Sequence, residues 1–417
     1  MTKSKNDLVR PFRGLRPVDG QATEIAAPPY DVINTAEARA LAKNKPHSFL
    51  HVSRAEIDLP PTTDPYADAV YAKADENLRA LISQGLLVRD PEEQFYVYRM
   101  SVGSKVQTGV AVSASIEAYL QNRIRKHELT RPSKEDDRVR QIESVEAMTG
   151  PVLLIYRSDT TLANALALVT AHDADSIVPD LQGVRHELWA VRDAAQVALI
   201  TERLNQMDAI YIADGHHRSA AAARVAAARR AKHSGPNLNG DFDGFLAVAF
   251  PDDEVTILDY NRLVRDLHGH TTAEFIDQLT KHFNVLPMNE TVRPQKPLSF
   301  GMYLDHQWYG IDTKAPPRSD DPVERLDVRV LDRLVLEPLL GITDPRTDSR
   351  IDFVGGSRGP EALAERVDSG EMAIGFMLFP TSLHDLMAVA DAGKIMPPKS
   401  TWFEPKLADG LISQPLD

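Results

Sequence analysis

An apolar run, a short polar turn and an alanine-rich stretch follow one another at residues 209–232. The run at 209–213 predicts a buried strand, and the stretch at 219–232 predicts a helix that begins at Ser219. A strand that leads directly into a helix favours a layered fold, with helices packed on a sheet. The first backbone N–H groups of such a helix have no partner within it and carry the positive end of its dipole. The junction therefore predicts a binding site for phosphate or carboxylate.

Strands and helices alternate through the middle third of the chain. The predicted elements are strands at 188–191, 245–250 and 255–260, a helix at 194–205, and an earlier hairpin of strands 95–100 and 107–116. This mixture predicts a combined α+β and α/β fold, with a central mixed sheet flanked by helices and a smaller C-terminal α+β region. We expect two domains. The N-terminal and central domain, 1–265, carries the polar turn, and 266–417 forms the C-terminal region.

Composition narrows the classes of protein to consider. The chain has 417 residues, 43% of them hydrophobic and 26% charged, which is typical of a globular protein. Its net charge of −13 argues against nucleic acid or an anionic membrane as a partner. The absence of cysteine excludes disulfides, thiolate catalysis and iron–sulfur clusters. No apolar run approaches the roughly 18–20 residues needed to span a bilayer, and the first ten residues lack a signal-peptide core. We expect a cytoplasmic protein.

The polar turn, residues 214–218, gathers acid, base and anion-binding side chains. It reads Asp214-Gly215-His216-His217-Arg218, and Ser219 follows it. The aspartate can act as a base or hold a metal ion, the glycine permits unusual backbone geometry, and the guanidinium suits phosphate. The histidines are adjacent, so they point in different directions. The alternative is a capping aspartate at the start of an ordinary surface loop.

A second polar segment lies between residues 125 and 138. Thr130 and Pro132 interrupt any single helix there and leave four side chains near a bend, namely His127, Glu128, Lys134 and Arg138. His127 and Glu128 are candidate metal ligands or general bases. The alternative is a solvated charged helix with internal ion pairs.

Two further segments offer polar groups. The MPPKST segment, residues 396–401, ends in Lys399, Ser400 and Thr401, one cation and two hydroxyls that suit a phosphate or a carboxylate. It lacks the glycines of a Walker loop, and the alternative is a plain terminal loop. Near the N-terminus, Tyr30 and Asp31 follow a double proline and are weaker candidates, because aspartate is common in turns.

Four motifs occur together across nearly the whole chain. They are Ala-Ala-Pro-Pro-Tyr-Asp-Val-Ile at 26–33, His-Glu-x-Thr-x-x-x-Lys-Glu-Asp-Asp-Arg at 127–138, Asp-Gly-His-His-Arg at 214–218 and Met-Pro-Pro-Lys-Ser-Thr-x-Phe-x-Pro-Lys at 396–406. As a set they resemble the domain-of-unknown-function 1015 family, whose name assigns no activity.

The polar turn has a second, shorter resemblance. Asp-Gly-His-His-Arg is similar to the phosphate-binding turn of the ParB/sulfiredoxin superfamily, which includes free-serine kinases. This resemblance implies that the turn opens a helix that receives nucleotide phosphates. The chain departs from it after Arg218, where Ser219 and a run of alanines replace the tyrosine and acidic residue of many members.

The motifs and the resemblance lead to the hypothesis of a cytosolic phosphotransfer enzyme that acts on a small hydroxylated metabolite, with serine or phosphoserine as the first candidate. Its predicted partners are ATP or ADP and Mg²⁺, with Asp214 and Glu128 as metal ligands. The predicted catalytic residues are Asp214, His216, His217, Glu128 and His127, and the predicted phosphate or substrate contacts are Gly215, Arg218, Ser219, Lys134, Arg138, Lys399, Ser400, Thr401, Tyr30 and Asp31.

Three alternatives stay open at this point. The same anion site suits a phosphatase or other hydrolase that acts on a phosphorylated small molecule. It also suits a nucleotide-binding regulatory protein without turnover. A metal-dependent lyase or hydrolase would use His127, Glu128, His216 and His217.

Overall fold

The computed structural model describes residues 7–232 and 240–416. The chain forms two compact units, the first made of Met1–Val255 with Pro405–Asp417 and the second of Thr256–Glu404. They differ from the predicted domains because the end of the chain returns to the first unit. There the strand Gln414–Pro415 pairs with Ala147–Met148. In the described part of the chain, no helix is long and apolar enough to cross a membrane.

The first unit is built on a nine-stranded sheet. Eight of its strands lie side by side in the order Ile124–Arg125, Ile210–Asp214, Val152–Tyr156, Gly244–Pro251, Lys105–Ser115, Phe95–Val102, Val184–Val191 and Ser176–Leu181. The ninth strand, Val9–Arg10, pairs with Lys105–Ser115. Two pairs are parallel, Ile124–Arg125 with Ile210–Asp214 and Val152–Tyr156 with Gly244–Pro251, and the others are antiparallel. The predicted central mixed sheet is confirmed.

In the described part of the first unit, nine α-helices connect and accompany these strands. They are Ala22–Ile25, Thr35–Ala42, Leu50–Ser53, Asp68–Ser83, Ile116–Leu120, Pro132–Val145, Thr160–Val169, Ala194–Asn205 and His216–Lys232, with 3₁₀ turns at Ala55–Asp58 and Asp241–Asp243 and a small ribbon of Leu15–Pro17 with Leu87–Arg89. Several begin at side-chain caps, as at Asp193, which accepts a hydrogen bond from the Gln196 N–H.

The central strands of the sheet explain why this part of the sequence is so apolar. Val152–Tyr156 and Gly244–Pro251 are buried at every position, since both faces of the sheet are covered. Such strands appear in sequence as continuous apolar runs, and the predicted strand at 245–250 lies within the observed one. The predicted helix at 194–205 coincides with Ala194–Asn205.

The second unit is a smaller α+β structure, as predicted for the C-terminal region. Its six-stranded antiparallel sheet has the order Phe283–Met288, Gln307–Thr313, Ser299–Leu304, Ile374–Leu378, Tyr260–Val264 and Ile351–Gly355, and a ribbon pairs Thr256–Leu258 with Trp402–Glu404. Its helices are Thr272–Leu279, Asp327–Leu331, Glu361–Asp368 and Leu383–Asp391, with a π-helical turn at Asp332–Leu336 and a 3₁₀ turn at Gly356–Arg358.

One edge of the first sheet brings distant parts of the chain together. Ile124–Arg125 and Ile210–Asp214 run parallel, so residues 126–128 and 215–217 leave the sheet on the same side. Val152–Tyr156 runs antiparallel to Ile210–Asp214, so its first residues lie there too. Loops at the carboxyl ends of strands are common places for binding sites in layered α/β folds.

Candidate functional site

The polar turn begins with a distortion of the last sheet strand. Ile212 pairs with Leu154, but Asp214 pairs with Leu153, so Ala213 is an extra residue in the ladder. A bulge of this kind bends the strand and redirects the side chain that follows it. Gly215 then adopts a φ of +100°, a conformation that favours glycine. The helix begins at His216, so the predicted start at Ser219 is wrong. The histidines and Arg218 occupy its first turn.

Asp214 is held between two cations. Its Oδ2 lies 3.4 Å from Nη2 of Arg218 and 3.3 Å from Nζ of Lys406. Burial alone would raise the pKa of Asp214, but Lys406 and Arg218 hold that pKa well below its usual range. The carboxylate is therefore ionised at neutral pH.

Arg218 is largely buried, with 11% of its side chain exposed. Its Nη1 donates to the carbonyl of Pro151, and its Nη2 lies 3.9 Å from a carboxylate oxygen of Asp31. The Nε–H is buried and has no hydrogen-bond partner. Burial lowers the pKa of Arg218, but Asp214 and Asp31 outweigh it and raise that pKa. The guanidinium stays charged and keeps one donor unused.

Gly215 lets the guanidinium of Arg218 lie against the backbone. A Cβ atom at this position would stand 2.9 Å from Nε of Arg218. The positive φ and this close approach both require glycine here.

His127, Glu128 and His216 form a second group beside the turn. Their candidate ligand atoms all lie within 4.8 Å of one another, and Nδ1 of His216 is 3.8 Å from Oε2 of Glu128. The two imidazoles meet edge to face, with ring centres 4.5 Å apart. Burial lowers the pKa of His127 to about 4, and burial together with His127 holds the pKa of His216 well below its usual value. Both rings are neutral at pH 7.

Two predicted residues of the turn are engaged elsewhere. Nε2 of His217 accepts a hydrogen bond of 3.0 Å from the backbone N–H of Arg131, the residue before the helix Pro132–Val145. Ser219 is fully buried, and its hydroxyl donates to the carbonyl of His216. The structure does not bring these two side chains to the guanidinium of Arg218.

Tyr30, Arg138 and Asp409 also lie near Arg218. The guanidinium of Arg138 stacks over the Tyr30 ring at 3.9 Å, and the Tyr30 N–H donates to Oδ2 of Asp409. These four residues line a cavity of about 20 Å³, which is enough for a water-sized group. Oδ1 of Asp409 is buried without a partner. Burial raises the pKa of Asp409 to about 7, and it raises that of Tyr30 to about 12.

The remaining predicted residues have other neighbours. Lys134 is exposed, and its Nζ donates to the hydroxyl of Tyr66. Lys399, Ser400 and Thr401 belong to the second unit. There the Ser400 hydroxyl donates to the Pro397 carbonyl over 2.6 Å, and Lys399 lies 5.4 Å from the centre of the Tyr260 ring.

Comparison with known proteins identifies the family. A family model described as "Protein of unknown function (DUF1015)" matches residues 9–329. The chain belongs to this family. The membership predicted from the four motifs is thereby confirmed. No match was found among curated proteins.

Several solved structures are similar to this member of the family. A structure described as free serine kinase in complex with AMP is 14% identical, with a TM-score of 0.33, and the match covers 71% of this chain and 86% of that chain. C-terminally truncated SbnI from Staphylococcus aureus is 12% identical, with a TM-score of 0.38 and coverage of 72% and 85%. A conserved hypothetical protein from Pyrococcus furiosus is 13% identical, with a TM-score of 0.33 and coverage of 73% and 94%.

Sequence reasoning missed two residues of the site. Lys406 is the last residue of the motif at 396–406. That position in a motif was the only sequence signal that could have identified it as a site residue. Asp409 had no signal at all. It reaches the cavity because Ala27 and Asp409 form a backbone bridge, in which each N–H donates to the other's carbonyl.

Proposed function

We propose that this protein is a cytoplasmic phosphotransferase that moves a phosphoryl group from ATP or ADP to a small hydroxylated metabolite, with serine as the first candidate. The observation that carries the proposal is the buried, unpartnered Nε–H of Arg218 in the first turn of a 17-residue helix. A phosphate oxygen would satisfy that donor and the positive end of the helix together. The resemblance of the polar turn to a phosphate-binding turn supports the same assignment.

The charges around Arg218 suit phosphoryl transfer, which depends on positioning and charge neutralisation. Lys406 adds a second cation beside Asp214. Mg²⁺ would enter with the nucleotide and keep most of its ligands from the phosphates and water. Asp214, which is ionised, is the predicted protein ligand nearest to Arg218.

In the proposed reaction, Asp31 acts as the general base. It is exposed and lies 3.9 Å from the guanidinium that would hold the phosphate. In the proposed step with ATP, the substrate hydroxyl oxygen forms a bond to the γ-phosphorus while the bond from that phosphorus to the β-γ bridging oxygen breaks. The hydroxyl proton passes to Asp31, and the electron pair of the broken bond leaves with ADP. Arg138, beside Tyr30, would pair with the carboxylate of the substrate.

The proposal is tested with the full-length chain, ATP or ADP, Mg²⁺ and a panel of hydroxy acids that includes L-serine. We expect a phosphorylated product by mass spectrometry and a nucleotide-induced rise in melting temperature. Absence of both would overturn the proposal. Phosphate release from phosphoserine without nucleotide would replace it with the phosphatase alternative. Nucleotide binding without any turnover would replace it with the regulatory alternative.

Arg218→Lys and Arg224→Lys form a matched pair for the same assay. Both arginines lie on the helix His216–Lys232, but Arg224 is 45% exposed and pairs with Asp136 at 2.7 Å. We expect Arg218→Lys to lower kcat/KM by about 100-fold or more, the usual effect of removing one preorganised donor to the reacting group. Arg224→Lys should leave it unchanged. Equal effects of the two substitutions would remove Arg218 from the site.

A further inference from the structure

The group of His127, Glu128 and His216 has a feature that hydrogen bonding does not explain. His127 is 2% exposed, and neither of its ring nitrogens makes a hydrogen bond of full geometry; the backbone of Ile212 is at most a weak partner for one of them. Buried polar side-chain atoms in folded proteins nearly always have partners. A bound ion is one kind of partner that a protein chain alone does not supply.

We propose that His127, Glu128 and His216 bind a divalent first-row transition-metal ion of the zinc class. Two imidazoles and one carboxylate are the ligand set of several catalytic zinc sites, where water or substrate takes the remaining position. Imidazole nitrogens suit such ions, whereas Mg²⁺ prefers an all-oxygen shell. The proposal therefore assigns a metal different from the Mg²⁺ that would accompany a nucleotide, and it does not rest on the proposed phosphotransfer.

The geometry needs only a modest contraction around the ion. Ligand atoms about 2.0–2.1 Å from zinc in a tetrahedron stand roughly 3.3 Å apart. The 3.8 Å between His216 and Glu128 is close to that spacing, and the full group lies within 4.8 Å. Glu128 can supply the movement because 41% of its side chain is exposed.

The neighbouring polar residues define the limits of the site. Nε2 of His217 already accepts the Arg131 N–H, and Asp214 is held by Arg218 and Lys406. The site thus has three protein ligands and leaves a coordination position for water or a substrate atom.

The test uses the full-length chain, freed of metal with a chelator and then supplied with Zn²⁺ or Co²⁺ alone. We expect one equivalent of metal to remain after gel filtration, measured by inductively coupled plasma mass spectrometry. Bound Co²⁺ should also show a visible ligand-field spectrum of low coordination number. No substrate or nucleotide is present, so failure here is distinct from failure of the phosphotransfer assay.

Glu128→Gln is the decisive variant, because its half-exposed position leaves the fold intact. It should weaken binding by about 100-fold or more, since loss of even an outer-shell partner costs about 10–100-fold. His127→Gln and His216→Gln should do the same. His217→Gln and His186→Gln are the controls and should bind normally, the second because His186 is a buried histidine bonded to Tyr98 instead. A chain that retains no metal, or Glu128→Gln with undiminished affinity, would overturn the proposal.

Discussion

The polar turn and the MPPKST segment contain similar side chains in very different surroundings. In and beside the turn, Nε of Arg218, Oδ1 of Asp409 and both ring nitrogens of His127 are buried and make no hydrogen bond of full geometry. In the MPPKST segment, the Ser400 hydroxyl donates to the backbone carbonyl of Pro397, three positions earlier in the chain. The Ser400 carbonyl in turn accepts from the hydroxyl of Thr381.

The second unit holds the MPPKST segment in place through its own core. Arg262 is almost completely buried, and its Nη2 donates to the carbonyl of Pro398 over 3.2 Å. Lys399 has a φ of +57° and lies over the Tyr260 ring. Cations and hydroxyls in a sequence therefore have two uses. Polar side chains whose hydrogen-bond partners come from the fold stabilise a loop. Buried polar side chains that lack partners in the fold indicate a ligand.

The largest expected effect concerns Asp409. Its pKa of about 7 in the folded protein lies above the ordinary aspartate value of 3.8. The protonated carboxyl of Asp409 therefore contributes fully to the free energy of unfolding below the unfolded pKa, and this contribution is lost as the pH rises through 7. Relative to Asp409→Asn, the free energy of unfolding of the native chain should fall by up to about 4 kcal/mol between pH 4 and pH 8. Chemical denaturation across this range measures it, with exposed Asp19→Asn as control. Parallel curves for the native chain and Asp409→Asn would contradict the prediction.

Gly215→Ala tests how the turn holds Arg218. The positive φ alone costs about 1–3 kcal/mol for a residue with a Cβ, and the contact with Arg218 adds to it. Gly20→Ala is the matched control, because Gly20 has a φ of +80° and no atom within 4 Å of the added Cβ. We expect a larger loss of unfolding free energy at Gly215, together with loss of the nucleotide-induced rise in melting temperature. Equal losses at the two positions would show that the contact is unimportant.

The smallest expected effect concerns the two buried serines predicted to bind phosphate. Ser219 and Ser400 both donate to a backbone carbonyl. Ser219→Ala and Ser400→Ala should each lower the free energy of unfolding by about 1 kcal/mol, the usual net value of such a bond. Neither should change the nucleotide-induced rise in melting temperature. If either substitution abolishes that rise, the serine concerned binds the ligand and the comparison between the two segments fails.

The sequence alone determined the mixed fold, many of its local elements and the chemistry of the polar turn. The helix Ala194–Asn205 and the strand Gly244–Pro251 were predictable because periodicity, burial and caps act between near neighbours in the chain. The tertiary structure alone decided which charges meet. Lys406 reaches Asp214 from 192 residues away, and Asp409 reaches the Tyr30 N–H through a backbone bridge near the end of the chain. Such pairings depend on strand order and on the return of the last segment, and no local pattern of residues records either.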